Sequence, residues 1–90
     1  MTFEEACRAK AQEIAELVIK KQNDYGHGNI LAFGELGVLV RSSDKFERLK
    51  NLQGRVHQNE AIEDTWMDIA GYSIIALMLR EGTFELELGE

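Results

Sequence analysis

The sequence predicts an all-α fold in which three main helices cover about residues 2–22, 33–52 and 60–80. In each segment, apolar residues recur with the 3.6-residue period of a helix. The 90 residues include no proline, which would interrupt a helix. A chain of this length forms one domain, here residues 1–90. Because so short a chain buries only a small core, its surplus of apolar residues favours an oligomeric helical bundle.

The first helix is predicted to begin with a capping box, in which Thr2 is the N-cap and Glu5 the third helical residue. We expect this helix to end near residues 21–23. The single cysteine, Cys7, excludes an intramolecular disulfide. It lies on an apolar stripe and is therefore predicted to be a core residue. The members of that stripe are Phe3, Cys7, Ala11, Ile14 and Val18.

The second helix has an apolar side and a basic side. Its predicted core residues are Val38, Leu39, Phe46 and Leu49. The opposite face carries Gly37, Arg41, Asp44 and Arg48, flanked by Lys45. A glycine inside a helix costs about 1 kcal/mol relative to alanine, so Gly37 indicates close approach of another group. After this helix, Gly54 is predicted as a helix-ending residue and Asn59 as the next N-cap.

The third helix becomes apolar on nearly every side before Gly82 ends it. Residues on several sides contribute, namely Ile74, Ile75, Met78 and Leu79. Such a segment is normally buried on several sides, most simply by a second subunit of a homo-oligomer. Residues 84–88 then alternate apolar and acidic side chains, which predicts a short extended or β arm over residues 83–88 that could pair with a neighbouring chain.

The net charge of −6 argues against duplex nucleic acid as a partner. The sequence has neither a signal-like N-terminus nor an 18-residue apolar run, so we expect a cytoplasmic protein that does not enter a membrane. Its basic residues are nevertheless concentrated, which would suit a local anion site. Five of them lie between positions 41 and 55: Arg41, Lys45, Arg48, Lys50 and Arg55.

Three acids, Glu60, Asp64 and Asp68, recur every fourth residue on one face of the third helix. Near the helix start, Glu60 is explained by the helix dipole, but Asp68 is not. Their oxygen atoms suit magnesium, or manganese as a substitute. We therefore predict Glu60, Asp64 and Asp68 as metal ligands, and Asp64 and Asp68 as catalytic residues.

Two arrangements of these charges remain open. In one, Arg41, Lys45 and Arg48 hold a di- or triphosphate opposite the acids, and a metal-bound water attacks phosphorus. In the other, the same basic residues pair directly with the acids as a structural network.

The segment from Asp24 to Ile30 contains two glycines and two aromatic rings. It is either an ordinary connecting loop or part of a binding site. In a binding site, Tyr25 and His27 could stack on a base, and the glycines would let backbone N–H groups approach a phosphate.

Several motifs together resemble the nucleotide modification associated domain 1 family, whose small proteins are frequent in bacteriophages. They are Asp24-Tyr25-Gly26, Asn29-Ile30, Phe33-Gly34, Asp44-Lys45, Arg48-Leu49 and Glu60-x-x-x-Asp64-Thr65-x-x-Asp68-Ile69-x-x-Tyr72. The resemblance covers roughly residues 20–80. It implies handling of nucleotides, including modified deoxynucleotides, in the host cytoplasm if a phage encodes the chain.

More distantly, the layout resembles the all-α nucleoside triphosphate pyrophosphohydrolases of the MazG type. Those oligomeric enzymes bind magnesium through E-x-x-E on one helix and E-x-x-D on the next. Here the second helix carries Asp44-Lys45 and Glu47-Arg48 instead, and the acids of the third helix are spaced by four.

The leading hypothesis is an oligomeric nucleotide-binding protein that hydrolyses a nucleoside triphosphate, or a related phosphoanhydride, with magnesium. The substrate-binding residues would be Tyr25, His27, Asn29, Arg41, Asp44, Lys45 and Arg48. The alternative is a non-catalytic sponge or sensor that sequesters a cyclic or modified nucleotide, such as a phage anti-defence protein. A third possibility is a structural helical module that binds a partner protein.

Overall fold

The computed structural model describes residues 1–89 and contains four helices. They are α1 (Phe3–Tyr25), α2 (Gly28–Leu31), α3 (Gly34–Leu52) and α4 (Asn59–Glu81). The described residues include no β-strand. The predicted all-α class is therefore confirmed, and the three long helices correspond to the three predicted segments. The single turn α2 occupies part of the segment for which a loop was one expectation.

The central helix is α4, which packs against α3 on one side and α1 on the other. Contact with α1 is close at Gly71, which is buried. A Cβ atom at this position would lie 3.3 Å from Val18 Cγ2. The small residue therefore brings the two helices together at their crossing point. None of the helices from α1 to α4 is both long and apolar enough to cross a membrane.

The hydrophobic core is small and lies where α2, α3, α4 and the C-terminal segment meet. Its buried residues are Ile30, Val38 and Phe84. Half-buried side chains of α4 pack around them: Tyr72, Ile75, Ala76, Met78 and Leu79. Leu49 and Leu52 are also buried, nearer the end of α3. In α1, by contrast, no residue is fully buried.

The helix ends follow the predicted signals at most positions. Glu5 N–H donates to Thr2 Oγ1 at 3.1 Å, which confirms the first cap. Gly54 follows α3 and Gly82 follows α4, with φ values of 76° and 77° that suit glycine. The prediction for Asn59 is wrong, because this residue is already helical. Gln58 precedes α4 and makes no side-chain capping bond.

Close approach at Gly37 is confirmed. A Cβ atom there would lie only 2.6 Å from Phe33 Cβ. Phe33 directly precedes α3, and its carbonyl accepts a hydrogen bond from Gly37 N–H at 3.3 Å. The group that approaches the glycine is therefore the first side chain before the helix.

Several predicted core residues are exposed in the single chain. Cys7 is exposed, and Leu39 and Phe46 keep 64% and 45% of their surface accessible. The predicted burial of these three side chains is therefore wrong for one chain. The reason is geometric, because α1 packs against one neighbour and α3 turns part of its apolar surface away from α4.

The C-terminal segment is attached to the rest of the fold by the buried Phe84 and by Thr83, whose N–H donates to Met78 O at 2.9 Å. Residues 83–89 form neither a helix nor a strand. Leu86 N–H donates to Thr83 O at 3.3 Å, which makes a turn around the buried ring. Residues 83–89 thus form no β arm within one chain, and pairing with a neighbouring chain stays a prediction.

Candidate functional site

Asp68 joins the three long helices through two ion pairs. Lys21 Nζ of α1 lies 3.1 Å from Asp68 Oδ1, and Lys45 Nζ of α3 lies 3.0 Å from Asp68 Oδ2. The Asp68 side chain, in the middle of α4, is only 18% exposed. Each carboxylate oxygen therefore has its own ammonium partner.

The two lysines determine the protonation of Asp68. Burial by itself would raise the pKa of this carboxyl group, because it disfavours the charged form. Hydrogen bonds and charge attraction from Lys45 and Lys21 outweigh burial and hold the pKa below its ordinary value of 3.8. At neutral pH the residue is an anion neutralised by two cations.

Of the two open arrangements, direct pairing is found for Lys45 and Asp68. Arg41 and Arg48 form no ion pair within residues 1–89. Sequence reasoning missed Lys21, which had been expected only to lie near the end of the first helix. Its spacing of 47 residues from Asp68 carries no local signal.

A polar groove of about 410 Å³ lies beside this cluster, between α1, α2, α3 and α4. It is lined by Val18, Lys21, Gln22, Tyr25, Asn29, Ile30, Arg41, Tyr72 and Ile75. The groove thus brings together three predicted binding residues, Tyr25, Asn29 and Arg41. It adds Lys21, Gln22 and Tyr72, which had not been predicted as site residues.

Arg41 has an unusual environment for a charged residue. Its side chain is half-buried on the groove wall, yet no carboxylate of residues 1–89 lies within ion-pairing distance of it. Lys21, the other cation of the groove, is 48% exposed and shares Asp68 with Lys45. A half-buried guanidinium group without a counter-ion favours an anionic ligand.

The other four predicted binding residues lie outside the groove lining. His27 forms a hydrogen bond with Gln22 and an edge-to-face contact with Phe84, at 5.6 Å between ring centroids. The structure therefore places His27 in packing of the C-terminal segment. Asp44 and Arg48 are exposed, and Lys45 is engaged with Asp68.

The three predicted metal ligands do not form a common site. Glu60 and Asp64 are exposed, and both oxygens of Asp68 have lysine partners. Residues 1–89 contain no group of three or more His, Cys, Asp or Glu side chains placed to hold a metal ion. These acids therefore do not fit a magnesium centre on their own, and magnesium binding stays a prediction.

Asp64 lines a different groove, between α1 and α4. The other acids there are Glu13 and Glu63. Glu13 pairs with Lys10 at 2.9 Å, and this contact raises the pKa of the lysine. The two predicted catalytic residues, Asp64 and Asp68, thus occupy different environments.

The model of one protein family, nucleotide modification associated domain 1, matches residues 21–79. The matched range contains every residue of the polar groove lining except Val18. No curated protein matches the chain, and no solved structure matches it. The description of the family points to a role related to nucleotides.

Proposed function

We propose that this chain, which belongs to the nucleotide modification associated domain 1 family, binds a free nucleotide in the polar groove. The observation that carries the proposal is Arg41, a half-buried cation on the groove wall without a carboxylate partner in the described chain. A phosphate group supplies the missing negative charge. It also accepts two parallel hydrogen bonds from a guanidinium group, which a chloride ion does not.

Lys21, from α1, supplies a second positive charge to the groove lining. Asp68 holds its ammonium group at 3.1 Å, and Lys45 supplies the other charge that neutralises this carboxylate. The two lysines and Asp68 together carry a net charge of about +1, and Arg41 raises the local net charge to about +2. The groove is thus locally cationic in a protein whose net charge is −6, which favours a small anion over an extended nucleic acid.

The aromatic residues of the groove suit the base of a nucleotide. Tyr25 is 70% exposed at the end of α1, so one face of its ring is accessible. Tyr72 lines the groove from α4. Stacking on an aromatic ring accepts any base and contributes about 1–3 kcal/mol per base. The side-chain amides of Gln22 and Asn29, also on the lining, offer both donors and acceptors to a base or sugar.

The size of the groove agrees with such a ligand. Its volume of about 410 Å³ falls within the roughly 300–1,000 Å³ of small-molecule sites. It is open to solvent along the exposed Tyr25 and Asn29. A mononucleotide or a cyclic dinucleotide with one base in the groove is therefore the proposed class of ligand.

Binding without hydrolysis is the form of this activity that the geometry favours. A hydrolytic centre needs a group that activates water, and Asp68 is the carboxylate nearest to the groove lysine. Its low pKa and its two lysine partners make it a poor base and a poor metal ligand. Asp68 is better suited to hold Lys21 in position, as in the sponge or sensor alternative.

Titration calorimetry with a panel of nucleoside mono-, di- and triphosphates, cyclic dinucleotides and modified deoxynucleotides tests the proposal. Each ligand is titrated with and without magnesium, and recovered afterwards for chromatography. We expect at least one nucleotide to bind and to be recovered intact. Arg41→Gln should weaken its affinity by about 10–150-fold, because a charge-assisted bond is worth about 1.5–3 kcal/mol.

Arg55→Gln is the matched control, because it removes the same charge from an exposed residue beyond α3. It should bind nearly as tightly as the unchanged protein. Equal binding by the Arg41→Gln variant, or no binding of any nucleotide by the unchanged protein, would refute the proposed site. Turnover of the ligand would refute binding without hydrolysis and would favour the pyrophosphohydrolase hypothesis.

A further inference from the structure

We infer that the exposed apolar side of α3 and α4 is the interface of a homodimer, in which it packs against the same side of a second copy. This surface is called the α3–α4 face. It consists of Leu36, Leu39 and Phe46 from α3 and Trp66, Ile69 and Leu77 from α4.

Most side chains of the α3–α4 face are large, apolar and exposed to solvent. Leu36, Leu39 and Leu77 are 69%, 64% and 60% exposed. Trp66 is 53% exposed and meets Phe46 edge to face, with ring centroids 6.3 Å apart. The exposed apolar side chains of the two helices therefore meet at this point, and together they make an apolar patch of the kind that marks interaction sites.

A groove of about 530 Å³ runs along this patch between the two helices. Leu36, Leu39, Phe46 and Ile69 are among its lining residues. At one end, Glu35 of α3 and Arg80 of α4 pair with each other at 3.0 Å. These two charges therefore neutralise each other within one chain. A second copy, which is also acidic, would meet no net charge at this end of the α3–α4 face.

The surface area of the chain indicates how large the missing contact is. The chain exposes 6851 Å², whereas a compact monomer of its mass exposes only about 5,300 Å². Its radius of gyration is 14.5 Å, compared with about 12 Å for a compact chain of this length. The excess of about 1,500 Å² exceeds the roughly 800 Å² that each partner buries in a standard interface.

This excess identifies a second copy as the occupant. Much of the exposed area is apolar surface of the helices, because only a few apolar residues are buried within one chain. A contact with a second copy would cover an excess of this size. Two copies related by a two-fold axis would set α3 and α4 of one against α3 and α4 of the other, which makes a four-helix bundle. Tyr72 lines both the α3–α4 groove and the polar groove, so the partner would support one wall of the polar groove.

Sedimentation equilibrium of the full chain tests the interface. We expect a mass about twice the 10.2 kDa of one chain. Leu39→Glu should raise the dissociation constant of the dimer at least about 100-fold, because a two-fold interface contains the substitution twice. Val56→Glu is the matched control, because Val56 is 75% exposed in the segment between α3 and α4, outside the face. It should leave the dimer intact.

Hydrogen exchange at low and high protein concentration gives a second measurement that does not depend on a variant folding. Raising the protein concentration should increase the protection of amides in α3 and α4 more than that of amides in the first half of α1. A monomeric unchanged protein would overturn the inference. So would a dimer that Leu39→Glu and Leu36→Glu leave unaffected, or one whose protection is confined to α1.

Discussion

Lys45 Nζ lies 3.0 Å from Asp68 Oδ2, so the basic side of α3 contacts the acidic side of α4 directly at this point. No space for a phosphate remains between these two residues. Lys21 Nζ lies 3.1 Å from the other oxygen, which extends the pairing to α1. The open volume next to this cluster is the polar groove, which both Arg41 and Lys21 line.

Replacing Asp68 should destabilise the fold, because Asp68→Asn leaves two lysines without their common carboxylate. The side chains of Asp68 and Lys45 are 18% and 27% exposed, so solvent replaces the lost partners only in part. We expect the free energy of unfolding to fall by about 1–2 kcal/mol. Urea unfolding followed by circular dichroism measures this change.

The matched control is Asp64→Asn, one turn earlier on α4, where the carboxylate is exposed and forms no ion pair in the described chain. It should change the free energy of unfolding by no more than about 0.5 kcal/mol. Equal effects of the two substitutions would contradict a special role for the Asp68 pairs.

The same ion pairs predict a pH dependence of stability. Because the folded pKa of Asp68 is lower than its ordinary value of 3.8, the unfolded chain binds the proton more tightly. The stabilisation is therefore present above the unfolded pKa and is lost as the pH falls through the folded pKa. Unfolding of the unchanged protein and of Asp68→Asn should be compared over a pH series.

The difference in unfolding free energy between these two proteins should be largest near neutral pH and should narrow below about pH 4. Other carboxyl groups titrate in both proteins, so their contributions cancel in the difference. A difference that stays constant down to low pH would show that the charge of Asp68 is not what stabilises the fold.

Local features of the fold were predictable because their causes lie within a few residues. The 3.6-residue period predicted the helices, and Thr2, Gly54 and Gly82 predicted helix ends. What covers each apolar face was not predictable, because periodicity identifies the face but not its neighbour. For this reason Cys7 and Leu39 were expected in the core and are exposed.

The candidate site was predictable only in part. Tyr25 and Asn29 were identified from an unusual turn segment, and Arg41 from a basic stripe, and all three line the polar groove. Lys21 and Tyr72 join them only through the way α1 and α4 cross. Such tertiary relations leave no trace in residue spacing.

Adding a methyl group at Gly37 should destabilise α3, although alanine is the better helix former by about 1 kcal/mol. The new Cβ atom would lie 2.6 Å from Phe33 Cβ, the root of a side chain that cannot rotate away. We expect Gly37→Ala to lower the free energy of unfolding by about 1–2 kcal/mol. Thermal and urea unfolding measure it.

Gly28→Ala is the control for Gly37→Ala, because nothing lies within 4 Å of a Cβ atom at that position. It should be neutral or slightly stabilising. The double variant Phe33→Gly, Gly37→Ala removes the opposing atom and should recover stability relative to Phe33→Gly alone. A Gly37→Ala variant more stable than the unchanged protein would contradict the clash.

Phe84 should anchor the C-terminal segment, because it is 5% exposed and contacts the core and His27. We expect Phe84→Ala to lower the free energy of unfolding by about 3–5 kcal/mol, as for other replacements of a buried phenylalanine by alanine. Leu86→Ala, two residues later and 67% exposed, should change it by less than about 0.5 kcal/mol. Similar small effects of both would mean that the segment is not docked.

Removing the ring of Tyr25 should weaken nucleotide binding without affecting the fold. Tyr25 is 70% exposed at the end of α1, so Tyr25→Ala should change stability by no more than about 0.5 kcal/mol. If the ring stacks on a base, affinity measured by calorimetry should fall about tenfold or more.

Tyr25→Phe keeps the stacking surface and should bind nearly as well as the unchanged protein. Phe33→Ala removes a 75% exposed ring outside the groove and should not change affinity. Equal affinity of Tyr25→Ala and Phe33→Ala would show that the base does not stack on Tyr25.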